Sequence, residues 1–78
     1  MTANALDTLL ARHAVIRRLP APPVRRLLRE QAGISQVELA QLLGVNRAAV
    51  SRYESGQRTP RSPIAERYVH LLDRLVAQ

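Results

Sequence analysis

The sequence has no cysteine, no phenylalanine, no tryptophan and no lysine, and it holds only three glycines and two tyrosines in 78 residues. Without cysteine there is neither a disulfide framework nor a thiolate metal site, which fits a reducing compartment. Without Phe or Trp, the core has to be built from aliphatic side chains plus Tyr53 and Tyr68. No apolar run approaches the roughly 20 residues that a membrane-spanning helix needs. The opening stretch, MTANALDTLLARH, places Asp7 early and lacks the layout of a cleavable signal. A cytoplasmic protein is therefore expected. A catalytic constellation is also missing. His13 and His70 fall on different predicted helices, no HxxxH or HExxH spacing occurs, and the carboxylates are scattered. The glycines all fall at predicted helix ends, so none belongs to a phosphate-cradling loop. The sequence thus argues against an enzyme and calls for no cofactor and no metal.

What is present is positive charge. Twelve arginines oppose six acidic residues, for a formal net charge of +6 and a pI near 11.5. That is an electrostatic footprint suited to nucleic acid. The excess is concentrated in residues 24–61, where Arg25, Arg26, Arg29, Arg47, Arg52, Arg58 and Arg61 face only Glu30, Glu38 and Glu54. The last stretch, residues 62–78, is balanced. The use of Arg alone suits bidentate phosphate and guanine recognition, although the codon bias of a GC-rich genome explains the lack of Lys more simply. A chain of this length forms one domain and buries only about 60% of its unfolded surface, so its stability should be modest.

The most informative stretch is residues 35–56, SQVELAQLLGVNRAAVSRYESG. Ser35 followed by Glu38 is a capping box, in which each side chain satisfies a backbone N–H that the first helical turn leaves free. Leu39, Leu42 and Leu43 repeat at the spacing of one helical face. Gly44 supplies the left-handed residue that stops the helix. Asn46 can cap a second helix with Ala49, Val50 and Tyr53 inward, and Gly56 closes it. Ala40 is small enough to let two helices cross closely. The stretch therefore reads as two short helices joined by a tight turn.

Through Gln36, Ala40, Gly44, Val50 and the YESG ending at residues 53–56, the stretch resembles the helix-turn-helix of the lambda repressor/Cro-like, or xenobiotic-response-element, family. With flanking helices the similarity covers about residues 24–75. The resemblance implies an all-α fold, a compact bundle of about five helices with the helix-turn-helix at its centre.

The remaining segments fit around that unit. Asn4 can cap a first helix over residues 5–19, with Leu6, Leu9, Leu10, Ile16 and Leu19 apolar and Val15 beside them; His13 falls on or near that face. This helix is an addition to the family's minimal domain, and its stripe must be buried either on its own domain or on a partner subunit. Residues 20–23 form a short, stiff, Pro-rich connector. A helix over residues 24–32 then turns Val24, Leu27 and Leu28 inward, Gly33 stops it, and Ile34 stands as a hydrophobic staple. Ser62 caps a last helix, with Pro63 in its first turn and a stripe of Ile64, Tyr68, Leu71, Leu72 and Leu75 widened by Ala65, Val69 and Val76. That stripe is broader than one core contact needs. Family members usually place two shorter helices here, which puts their usual dimer contact in doubt for this chain.

In the resembling family the second helix of the pair lies in the major groove and the first crosses the backbone. Carried over by motif position, Arg47, Ala48, Ser51 and Arg52 would meet base edges. Gln36, Asn46, Arg58 and Arg61 would meet the DNA backbone, and Arg29 with Glu54 would form a partly buried structural ion pair. The function so implied is a sequence-specific transcriptional regulator of double-stranded DNA, a homodimeric repressor on a palindromic operator, associated with the nucleoid. The alternative is an antitoxin or other interaction module whose terminal helices bind a partner protein.

Overall fold

The computed structural model describes residues 3–77, with side chains from residue 5 onward. The described chain is all-helical: α1 (Ala3–Arg18), α2 (Pro22–Gln31), α3 (Gln36–Leu43), α4 (Arg47–Ser55) and α5 (Ile64–Val76). The two central helices start and stop on local chemistry. The amide of Glu38 donates to Ser35 Oγ at 3.0 Å, and the amide of Ser35 donates to Glu38 Oε1 at 2.9 Å, which closes the capping box. These bonds hold the Glu38 carboxyl below its ordinary pKa. Gly44 takes φ +77°, and its amide and that of Val45 both donate back to the Ala40 carbonyl. Asn46 Oδ1 accepts from the Ala49 amide at 2.8 Å and so caps α4.

The core is a cluster of Leu19, Leu39, Ala40, Leu43, Ala49, Val50, Tyr53, Tyr68, Val69 and Leu72. Tyr53 and Tyr68 meet at tilted rings, with centroids 6.0 Å apart. Fully burying an aliphatic side chain of this kind contributes about 1.5–3 kcal/mol. α4 packs against both α2 and α3, and α5 underlies α1, α2 and α3. The α3–α4 pair thus rests on α2 and α5, and α1 lies against α5.

The Pro-rich connector is shorter than residues 20–23, because Pro22 and Pro23 already form the first turn of α2, where a missing N–H costs nothing, and three further expectations change. First, the bounds of α1 include Asn4, so that residue is not an outside cap, and its side chain lies outside the described part. The stripe of α1 is divided rather than buried as one. Val15 and Leu19 join the core, while Leu6, Leu9 and Leu10 stay about half exposed. Second, the inward face of α2 is not its apolar one. Arg25 and Arg29 are buried, Leu28 is half-buried, and Val24 and Leu27 are exposed. The reason is that both guanidinium groups find acceptors inside, which removes most of the cost of burying them. Third, Ser62 does not cap α5. The helix begins after Pro63 with no side-chain cap, and Ser62 Oγ donates instead to the Glu66 carboxylate. Along α5 the buried residues are Ala65, Tyr68, Val69 and Leu72, while Val76 is exposed. The broad stripe is accounted for in part by α1, which lies against it.

Candidate nucleic-acid interface

Burial divides α4 into two faces. Ala49, Val50, Tyr53 and Glu54 are buried, while Arg47, Ala48, Ser51, Arg52 and Ser55 are exposed. At 3.6 residues per turn these sets lie on opposite sides of the helix. The helix therefore shows solvent a face that carries two arginines, a methyl group and two hydroxyls, and no carboxylate.

Glu54 fixes the helix's orientation from behind. Arg29 donates to it twice, from Nε to Oε2 at 2.6 Å and from its second terminal nitrogen to Oε1 at 3.0 Å. The two side chains are 11% and 3% exposed, so the pair is out of water and bidentate. Arg29 also donates to the Ile34 carbonyl at 2.9 Å. Gln36 Nε2 donates to Glu54 Oε1 at 3.0 Å. Burial works to raise the Glu54 pKa, but the bonds from Arg29 and Gln36 outweigh it, and the carboxyl stays below its ordinary value. The hydrogen bond to Glu54 raises the Arg29 pKa in turn, against its burial. One of the two N–H donors of the Gln36 amide is used in this way.

Arg25, which sequence reasoning did not single out, anchors the same C-terminal end of α4 through its backbone. Its Nε donates to the Pro20 carbonyl at 2.8 Å, a terminal nitrogen donates to the Tyr53 carbonyl at 3.0 Å, and the guanidinium lies 6.0 Å from the centre of the Tyr68 ring. Burial lowers its pKa from the ordinary arginine value. The only sequence signal was the spacing of Arg25 and Arg29, which places them one turn apart on the face that meets α4.

Beside α4 lies an open cleft of about 380 Å³, and Asn46, Arg52, Arg58 and Arg61 all line it. Three of the arginines singled out in the sequence are therefore neighbours, with Arg52 at the cleft rather than apart from the loop residues. Arg47, Ala48 and Ser51 do not line the cleft and belong to the exposed face of α4. Gln36 lies behind, on Glu54. Asn46 has its side-chain oxygen committed to the cap. Among the described residues no group of His, Cys, Asp and Glu could hold a metal, and no helix is long and apolar enough to cross a membrane.

A capped two-helix unit with a tight glycine turn, whose second helix is buried on one side and basic on the other, defines a helix-turn-helix DNA-binding domain. The family model described as Helix-turn-helix matches residues 26–75, most of the chain, and the chain belongs to that lambda repressor/Cro-like family of DNA-binding transcription regulators. No curated protein and no solved structure matches it. The match leaves out α1 and the start of α2.

Proposed function

We infer that this chain is a sequence-specific regulator that places α4 in the major groove of double-stranded DNA and acts as a dimeric repressor on a palindromic operator. The supporting observation is the division of α4, with every exposed side chain able to approach DNA and its only acid, Glu54, locked behind. In this reading Arg47 and Arg52 bond guanine edges, Ala48 meets a thymine methyl, and Ser51 reaches a base or phosphate. Asn46, Arg58 and Arg61 hold the backbone from the cleft side, and Gln36 does so from the start of α3, where the helix dipole favours phosphate. A single domain of this size covers few base pairs, so two copies about 10 bp apart supply specificity. The reading assigns no catalysis.

The test is selection of binding sites from random double-stranded DNA with purified protein, repeated with Arg47→Ala and Arg52→Ala. Each substitution should cost about 1–3 kcal/mol on the best site and relax base preference at one position. An unchanged consensus in both variants rules out this docking. The second reading, an interaction module or antitoxin whose terminal helices bind a partner protein, is favoured by the exposed leucines of α1. It predicts no selected consensus.

A further inference from the structure

The outer face of α1 is an apolar stripe that the fold does not use. At about 100° per residue, Leu6, Leu10, His13 and Arg17 lie within roughly 60° of one another, with Leu9 and Ile16 along one flank. Val15 and Leu19, which join the core, point the opposite way. Leu6, Leu9 and Leu10 are 47%, 46% and 54% exposed. Leu10, His13, Ile16 and Arg17 line a shallow cleft of about 430 Å³ to which no other helix contributes. The first half of α1 is thus a helical arm with half-exposed leucines at coiled-coil spacing that, among the described residues, do not join the core.

We propose that this face pairs with the same face of a second copy, antiparallel, about a two-fold axis near the middle of α1. The charges choose both the occupant and the direction. Asp7 lies at one end of the stripe and Arg17 at the other, and both are exposed. Antiparallel pairing sets Leu10 against His13 of the other copy and brings Asp7 within a turn of the other copy's Arg17, once at each end. The Arg17 stem then covers Leu6 while its head reaches the carboxylate, as long charged side chains do. Parallel pairing sets Asp7 level with Asp7 and Arg17 level with Arg17, which repel. A seam that is complementary to itself under a two-fold rotation is what an isologous contact requires.

The seam runs from Leu6 to Arg17, about 17 Å at 1.5 Å per residue, or three turns. So short a contact gives weak, reversible pairing in free protein. Two adjacent half-sites on DNA supply the effective concentration that makes it count. That last step rests on the DNA-binding reading above; the pairing does not.

Sedimentation of the full chain without DNA tests it. Wild type should show a reversible monomer–dimer equilibrium. Leu10→Glu should raise the dissociation constant at least about tenfold with an unchanged melting temperature, because Leu10 is outside the core. Asp7→Arg and Arg17→Asp should each pair more weakly than wild type, and an equimolar mixture should recover wild-type pairing, since only the mixed dimer restores both end contacts. The proposal is overturned by wild type that stays monomeric to about 1 mM, by Leu10→Glu that pairs like wild type, or by a mixture no better than its parts. An arm that binds a different, acidic protein and not itself also overturns it. If the mixture recovers but no DNA consensus is selected, the pairing stands and the regulatory reading falls.

Discussion

A carboxylate taken out of water is tolerated only while its acceptor sites are filled, and Glu54 has them filled from two other helices by Arg29 and Gln36. Removing it strands the Arg29 charge. Glu54→Ala should therefore destabilise the fold by about 3–5 kcal/mol in chemical denaturation, and an unchanged midpoint would show that the pair carries no such weight. The pH sign follows from the folded pKa of Glu54, which lies below its ordinary 4.5. Its contribution is complete above the unfolded value and is lost as pH falls through the folded one, so stability should decline in acid. Tyr68 works from the other side. Burial pushes its phenol from 10.0 up to about 12. That stability is complete below pH 10 and is lost as pH rises toward about 12. Its hydroxyl is buried with no hydrogen-bond partner among the described residues. Tyr68→Phe should thus be neutral or stabilising by up to about 1 kcal/mol at pH 7, and thermal melts should show a smaller alkaline loss. The sequence made Arg29 and Glu54 visible only through the family resemblance. The role of Arg25 shows in the sequence only as its one-turn spacing from Arg29, because its partners are the Pro20 and Tyr53 carbonyls, which packing brings to it.

Helices defined by local rules were the readable ones. The ends of α3 and α4 follow from Ser35, Glu38, Gly44, Asn46 and Gly56, because caps and left-handed stops act within a few residues. The cap of α3 has its own cost on removal: Ser35→Ala should lower stability by about 1 kcal/mol in urea titration, with helical content retained, and no change would mean that water replaces the cap without loss. α2 departs from its periodicity because an apolar stripe of Val24, Leu27 and Leu28 competes there with two arginines that satisfy more partners inside. Periodicity ranks side chains by apolarity and has no access to acceptors that lie on other helices. The start of α5 departs from expectation for a related reason, since the Ser62 hydroxyl donates to the Glu66 carboxylate and no first-turn amide donates to it.

For the molecule as a whole, the boundary drawn by the family match is narrower than the physical unit. Leu19 is buried, Val15 packs on the core, the Pro20 carbonyl receives Arg25, and Arg18 meets Asp73 at 2.7 Å across to α5. Deleting residues 1–12 should leave the melting temperature nearly unchanged. Deleting residues 1–19 should lower it by several degrees or more, since burial of Leu19 alone is worth about 1.5–3 kcal/mol. Equal melting of the two truncations would place α1 wholly outside the fold. The Glu54 carboxylate also sets an order in time. Its backbone belongs to α4 and its oxygens are held from α2 and α3, so neither α2 nor α4 opens alone without stranding charge, and α3 opens only by giving up the Gln36 bond to Glu54. Their amides should exchange with deuterium as one slow cooperative unit, ahead of which residues 5–12 exchange by fraying. DNA would then meet two helices already fixed at their mutual angle, and the speed of association would be governed by diffusional encounter rather than by a prior rearrangement of the protein.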